Sequence, residues 1–118
     1  MPREYSLELA PSAFASLDGV GSRKVRGEIA KVIDTLVEEP AGRGKRLEAP
    51  LEGLYSARAA NERYRVLYEV DEAAAHVTVL FVGRRLPGSD RDVYAIAARL
   101  LATLLGKGAP RESGSGTD

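Results

Sequence analysis

The chain has 118 residues and balances 17 basic against 17 acidic side chains, so its formal net charge is zero. This length suits one domain that folds unaided, and the lack of cysteine excludes disulfide scaffolds, thiol nucleophiles and thiolate zinc sites. A neutral chain has no overall field that draws it to nucleic acid, so any anion site must be local. The N-terminus lacks a signal-peptide pattern, and no apolar run approaches the roughly 20 residues of a membrane span. We therefore expect a soluble, cytoplasmic protein that does not enter membranes.

The first forty residues predict one strand followed by two helices. YSLEL, over residues 5–9, alternates apolar and polar side chains, as a half-buried strand does. A short helix should then begin at Pro11 and stop where two glycines break its pattern. Ser22 can cap a second helix over residues 23–38, whose apolar side chains form a single stripe. Pro40 should end this helix and open a loop rich in glycine and proline.

Residues 54–85 predict three consecutive antiparallel strands. The centre is RYRVLYEV, over residues 63–70, where the two-residue period of a strand places Arg63 and Arg65 on one face and the tyrosines and valines on the other. HVTVLFVG, over residues 76–83, is apolar on both faces, which indicates an inner strand. The sheet therefore has a hydrophobic middle and an arginine-bearing polar edge.

The chain ends with a loop, a helix and a polar tail. Ser89 and Asp92 have the three-residue spacing of a capping box, so a helix should begin there and continue to about residue 105. Residues 106–118 are small and polar and cannot bury enough surface to offset the entropy of ordering, so we expect a disordered tail.

The order β-α-α-β-β-β-α predicts an α+β domain over residues 1–105, in which a small antiparallel sheet carries a helical hairpin packed on one face. His76 is the only histidine, and no second ligand or nucleophile accompanies it in the sequence. No carboxylate pair suggests acid and base roles, and no glycine-rich loop has the order of a nucleotide site. We expect no metal and no cofactor.

Several motifs together resemble one protein family. They are PAGRGKRL over residues 40–47, ERYRVLYEVD over 62–71, VLFVGRR over 79–85, and Tyr94 at the start of the last helix. With the strand-helix-helix opening, they make residues 5–101 similar to the toxins of the RelE/ParE superfamily of bacterial type II toxin-antitoxin systems. Members of the RelE branch cut messenger RNA in the ribosomal decoding site. The resemblance therefore implies an endoribonuclease that inhibits translation and has the ribosome and its mRNA as partners.

The resemblance implies four catalytic residues, which are Arg58, Arg65, Arg85 and Tyr94. RNA carries its own nucleophile, the 2′-hydroxyl, so the protein has to remove one proton, neutralise a pentavalent phosphate and protonate the leaving 5′-oxygen. Arginines suit the second task because their planar guanidinium matches phosphate oxygens and stays charged. Tyrosine can act as the base where neighbouring guanidinium groups favour its anion.

Five further basic residues are predicted to bind RNA, and one expected cation is missing. Many active members carry two basic residues two positions apart on the strand before the central one, and here only Arg58 of that pair is present. The loop before Tyr94 is also longer than is usual in the family. The predicted RNA-binding residues are Arg43, Lys45, Arg46, Arg63 and Arg84.

Three functions stay open at this point. The first is the ribosome-dependent mRNA endonuclease, and the second is a ParE-like toxin that inhibits DNA gyrase by binding, without catalytic residues. The third is a partner-binding module of the same fold that has lost toxicity, which the missing cation and the neutral net charge permit.

The resemblance also implies a partner, a small antitoxin that wraps around the toxin. The helix over residues 92–105 carries more apolar side chains than one side of a small sheet needs, and a partner helix would bury the surplus. We expect the antitoxin to shift this helix and move Tyr94, rather than to cover Arg65 and Arg85, because the glycine-containing loop 86–91 can move. A homodimer through the same helix, or a toxin-antitoxin hetero-oligomer, stays open.

Overall fold

A computed structural model describes residues 3–104, which form a five-stranded sheet with helices on both faces. The strands are β1 (Ser6–Leu9), β2 (Lys45–Arg46), β3 (Tyr55–Ala59), β4 (Tyr64–Asp71) and β5 (His76–Arg84). The helices are α1 (Pro11–Asp18), α2 (Arg23–Thr35), α3 (Pro40–Arg43) and α4 (Val93–Leu104). The predicted α+β order is confirmed, with α3 and β2 as short additions inside the predicted loop. The predicted tail, residues 106–118, lies outside the described residues.

The sheet has the order β1-β5-β4-β3-β2. The strands β3 to β5 pair antiparallel, as predicted, and the added β2 pairs antiparallel with β3. In contrast, β1 pairs parallel with β5, so the prediction of a wholly antiparallel sheet is wrong at this edge. Alternation in a sequence reports that a segment is a strand but not which strand lies beside it. As expected, β5 is an inner strand, with β1 on one side and β4 on the other. Within residues 3–104, no helix is long and apolar enough to cross a membrane.

Local signals explain where α2 begins, and a backbone turn explains where it ends. The Ser22 Oγ accepts a hydrogen bond from the Val25 N–H at 3.2 Å, which caps the helix as predicted. The helix stops at Thr35, before Pro40 is reached, and Glu39 turns the chain with a left-handed φ of 49°. The proline therefore begins α3 instead of ending α2, because proline fits the first helical turn.

The larger core lies between the sheet and the hairpin of α1 and α2. Val66 and Tyr68 of β4 are fully buried there against Ile29 of α2. The Tyr68 hydroxyl donates a hydrogen bond to the Pro40 carbonyl at 2.7 Å. Burial, and secondarily the neighbouring Tyr55, raises the pKa of Tyr68 to about 12, so this phenol stays neutral as a donor.

A glycine holds β2 against this core. A Cβ atom at Gly44 would lie 2.6 Å from the Tyr68 hydroxyl and 2.7 Å from the Ser56 carbonyl oxygen. Only glycine lets the chain approach this closely, so Gly44 places the next residue, Lys45, at the sheet edge.

The smaller core covers the opposite face of the sheet. Leu67 of β4 packs there against Val93 and Ala97 of α4, together with two leucines of the loop before β3. The start of α4 sits directly on β5, because a Cβ atom at Gly83 would lie 2.8 Å from a methyl carbon of Val93. The helix therefore begins at the end of the sheet where the arginines are.

Candidate functional site

A basic cleft of about 290 Å³ lies where β3, β4 and β5 meet the start of α4. Strand register brings its residues together, since Arg58 and Arg65 are cross-strand partners and Arg65 is opposite Gly83 of β5. All four predicted catalytic residues line the cleft. The complete lining is Lys45, Leu47, Ser56, Arg58, Arg65, Arg85 and Tyr94.

The turn between β3 and β4 orients the first two arginines. One guanidinium nitrogen of Arg65 donates to the carbonyl oxygens of Glu62, at 2.6 Å, and Tyr64, at 3.1 Å. Arg58 forms an ion pair with the Glu62 carboxylate at 3.2 Å. Because both partners of that pair are largely exposed, it contributes little stability, but it holds the guanidinium beside the cleft.

A buried carboxylate orients the third arginine. The Arg85 guanidinium donates to Asp92 Oδ1 at 2.6 Å, and it lies 4.7 Å from the centroid of the Tyr94 ring, within the range of a cation–π contact. Asp92 is only 4% exposed and also accepts hydrogen bonds from the backbone N–H groups of Leu86 and Tyr94. One carboxylate thus connects the end of β5, the loop and the first turn of α4.

The electrostatics of Asp92 follow from two opposing effects. Burial alone raises the pKa of this carboxyl, but the hydrogen bonds from Arg85 and the two backbone N–H groups outweigh burial, so its pKa is lowered. Asp92 is itself the N-cap of α4, since its Oδ2 accepts from the Tyr94 N–H at 3.0 Å. The predicted capping box, with Ser89 as the cap, is therefore wrong. Ser89 instead caps the loop turn and accepts from the Arg91 N–H.

The Tyr94 hydroxyl is held by a serine that the sequence did not single out as functional. The Tyr94 Oη lies 2.9 Å from the Ser56 Oγ, and Ser56 is 4% exposed. This serine occupies the position two residues before Arg58, where many members of the family have a second basic residue. In this chain the position anchors the phenol instead.

A cation on the neighbouring strand stands beside that serine. Lys45 of β2 is the register partner of Ser56 and lines the same cleft. Directly opposed residues of an antiparallel pair have Cβ atoms about 5 Å apart, so the Lys45 ammonium can reach the space next to Tyr94. The cleft thus combines one ammonium, three guanidinium groups and a phenol, a set that can hold a phosphodiester and move a proton.

Two of the predicted RNA-binding residues lie away from this cleft. Arg46 is the register partner of Tyr55, and its guanidinium lies 5.8 Å from that ring, which stacks on Tyr68 in the larger core. Arg43 of α3 pairs with Glu38 at 3.4 Å. Both arginines therefore lie toward the hairpin face of the sheet.

Two more of the five predicted RNA-binding residues share a second cleft, and the fifth, Lys45, lines the first. Arg63 and Arg84 line a space of about 270 Å³ beside α2. The prediction that Arg63 shares a face with Arg65 is wrong, because β4 begins only at Tyr64 and strand alternation does not extend to residue 63.

Sequence reasoning missed three partners of the cleft residues, namely Ser56, Glu62 and Asp92. Each one positions a neighbouring side chain, and no motif marks such a role. Only Asp92, two residues before Tyr94, offers a signal, since its spacing from Ser89 predicts a role in capping. His76 begins β5 at the end of the strand opposite to the arginines, where its Nε2 is 2.9 Å from Glu8 Oε1. Among residues 3–104, no group of three or more His, Asp or Glu side chains is placed to hold a metal.

Comparisons with known proteins identify relatives. The toxin RelE of Mycobacterium tuberculosis is 30% identical over 81 residues, which cover 69% of this chain and 81% of that protein. The toxin-antitoxin complex RelBE2 of the same organism has a chain with a TM-score of 0.62 and 28% identity, covering 70% of this chain and 92% of that one. The isolated E. coli RelE toxin, at 24% identity and a TM-score of 0.58, covers 82% of this chain and 98% of its own and shows the same fold. No protein-family model matches the chain.

Proposed function

The chain belongs to the RelE family of toxins, within the RelE/ParE superfamily of type II toxin-antitoxin systems, and we propose that it cuts messenger RNA on the ribosome. One observation carries this proposal: the cleft gathers Arg58, Arg65, Arg85 and Tyr94 around a space that suits a phosphodiester. Such a toxin would act in the cytoplasm, where ribosomes are.

The proposed reaction uses the RNA 2′-hydroxyl as nucleophile. Tyr94 Oη removes its proton, the 2′-oxygen bonds to phosphorus, and the bond from phosphorus to the 5′-oxygen breaks. The products are a 2′,3′-cyclic phosphate and a 5′-hydroxyl, whose proton comes from the solvent or the protein. Arg65 and Arg85 neutralise the charge that develops on the phosphate oxygens, and their tethers keep them in place before the substrate arrives.

Lys45 completes this set of charges. It supplies a cation from β2 beside Ser56, where the family often has one on β3. The proposal therefore assigns Lys45 to binding the scissile phosphate, with Arg58 on the neighbouring strand. The neutral net charge is compatible with this activity, because cations need to be concentrated only around the cleft.

The proposed partner is a cognate antitoxin, which the similarity to the RelBE2 toxin-antitoxin complex supports. We propose that it acts on α4 rather than on the arginines. The start of α4 carries both Asp92 and Tyr94, and it sits on β5 without a side chain at Gly83 between them. A small shift of this helix would therefore displace Tyr94, the proposed base, and at the same time release Arg85 from Asp92.

The test is to express the protein alone and map mRNA ends by primer extension, together with a cleavage assay on purified ribosomes. We expect translation arrest, cut mRNA with a cyclic phosphate end, and no cutting when the scissile nucleotide carries a 2′-methoxy group. Arg65→Ala should reduce the cleavage rate by about 100-fold or more, as the loss of a transition-state charge partner does. Arg99→Ala is the matched control, since Arg99 is an exposed arginine of α4 outside the cleft.

Two results would reject the proposed reaction. One is intact mRNA in cells whose translation has stopped, and the other is an Arg65→Ala variant that cuts as fast as Arg99→Ala. An SOS response with gyrase-trapped DNA and intact mRNA would show a ParE-like inhibitor instead. Harmless overexpression would show a binding module.

A further inference from the structure

A second basic cleft opens on the hairpin side of the same end of the sheet. It has a volume of about 270 Å³ and lies between the N-terminal part of α2 and the β3–β4 turn. Its charged side chains are Lys24, Arg63, Arg84 and one carboxylate, Glu28. The cleft therefore has an excess of two positive charges in a chain whose formal net charge is zero.

A left-handed turn brings Arg63 into this cleft. Three successive residues before it, Ala60, Asn61 and Glu62, have φ values of 51°, 57° and 65°. The Arg63 N–H then donates to the Ala60 carbonyl at 3.2 Å, which closes the turn before β4 begins. Because Arg63 belongs to the turn and not to the strand, its side chain can join Arg84 while Arg65 faces the first cleft.

The cations of the second cleft are balanced only in part by Glu28, within the described part of the chain. Within residues 3–104, neither Lys24 nor Arg63 nor Arg84 has a carboxylate within the 4.0 Å of an ion pair, although Arg58 and Arg85 of the first cleft both do. Like charges that line one cleft repel each other, and an anion bound between them would relieve that repulsion. The cleft thus has the charge of an anion site.

The two clefts meet around the end of β4 and β5. Arg84, the last residue of β5, lines the second cleft, and Arg85, which follows it, lines the first. The Arg85 N–H donates to the Arg63 carbonyl at 2.8 Å, which ties the rims of both clefts together. An anionic polymer bound in the first cleft can therefore continue into the second.

We propose that the second cleft binds another backbone phosphate of RNA, outside the bond that is cut. This inference rests on the proposed function, since it gives the RNA a second contact. The half-buried Tyr64 also lines the cleft, and single-stranded nucleic-acid sites combine cations with an aromatic ring on which a base stacks. The ring favours RNA over an acidic peptide, which would need the cations alone.

The experiment measures the binding of a 12-nucleotide RNA with a 2′-methoxy group at the scissile position, both free and on programmed ribosomes, over a series of salt concentrations. The test variant is Arg63→Ala/Arg84→Ala. The charge-matched control is Lys31→Ala/Arg99→Ala, which removes two exposed cations outside both clefts. The slope of log K against log salt is negative, and the loss of one phosphate contact should make it shallower by about 0.7 in the test variant.

Two patterns support the inference and locate the phosphate. A reduced slope with free RNA assigns the phosphate to the messenger strand, and a reduction only with ribosomes assigns it to ribosomal RNA. If the slope is unchanged both with free RNA and with RNA on ribosomes, the inference is overturned. The same holds if the control variant shows an equally shallower slope. A poly-glutamate peptide that binds as tightly as the RNA, with the same loss in the test variant, would assign the cleft to an acidic peptide and also overturn it.

Failure of the proposed function would look different. Suppose that the wild-type protein does not cut unmodified RNA on ribosomes, but RNA binding by the Arg63→Ala/Arg84→Ala variant still has a shallower salt dependence. In that case the proposed reaction is wrong and the RNA contact stands. If the wild-type protein cuts and the slope is unchanged, only the second cleft is wrong.

Discussion

The two basic clefts lie at the same end of the sheet and differ in how their cations are held. In the first, Arg65 is bonded to backbone carbonyls and Arg85 to the buried Asp92. In the second, Arg63 and Arg84 are exposed and have no ion pair within the described part of the chain. The difference corresponds to two tasks. Charge development in a transition state requires fixed donors, whereas attraction of a polyanion requires only charge nearby.

This contrast also explains why two carboxylates lie behind the arginines of the first cleft. Glu62 and Asp92 reduce its net charge, which weakens the attraction of RNA, but they fix the positions of Arg58 and Arg85. Misplacing a catalytic group by about 1 Å can lower a rate by about 100-fold. Accurate placement of the two guanidinium groups therefore offsets the lower net charge of the cleft. The second cleft supplies attraction without that constraint.

Among changes that leave every lining residue of the first cleft in place, the largest expected effect comes from releasing the tether of Arg85. Asp92→Asn keeps a good N-cap for α4 but removes the charge that holds Arg85. We expect the cleavage rate on ribosomes to fall by about 10- to 100-fold, because the guanidinium then samples other positions. Single-turnover cleavage at saturating protein measures this. Asp90→Asn, an exposed acid in the same loop, is the control, and equal rates for the two variants would show that the tether is unimportant.

An intermediate effect is expected on stability as pH changes. The folded-state pKa of Asp92 is lowered, so its contribution to the free energy of unfolding is present above the unfolded pKa of about 4 and is lost as pH falls through the folded value. Wild type should therefore exceed Asp92→Asn by about 2 kcal/mol near neutral pH, the size of a charge-assisted hydrogen bond. Urea unfolding from about pH 6 to about pH 2 measures the difference. A difference that does not shrink in acid would contradict this linkage.

The smallest effect is expected at the turn that directs Arg63 to the second cleft. Ala60 has a φ of 51°, which costs an L-residue about 1–2 kcal/mol relative to glycine, partly offset by the greater freedom of glycine in the unfolded chain. Ala60→Gly should therefore raise the free energy of unfolding by up to about 1 kcal/mol. In the exposed middle of α2, Ala30→Gly should lower it by about 1 kcal/mol. Thermal unfolding of both variants provides the comparison, and a loss of stability in both would show that the turn is not strained.

Much of the fold could be predicted because it follows from local patterns. Alternation located β4, and a run that is apolar on both faces located β5. The apolar stripe and Ser22 located α2, and the family motifs located the four cleft residues that the structure brings together. The parallel pairing of β1 could not be predicted, since it depends on how the α1–α2 hairpin returns the chain to the sheet. The roles of Ser56 and Asp92 could not be predicted either. Ser56 contacts Tyr94, which lies 38 residues further along the chain, and Asp92 contacts Arg85 across the loop that joins β5 to α4.

By itself the sequence determined which segments are strands and helices, and that Arg58, Arg65 and Arg85 belong to one sheet. The tertiary structure alone decided that Lys45 stands beside Ser56, and that Arg63 turns away from Arg65. The physical reason is that side-chain period is a property of a single segment, whereas register, strand direction and the exact end of a strand are set by its neighbours. A site made of charges from four segments depends on all of these, because the attraction of a charge for phosphate depends on distance.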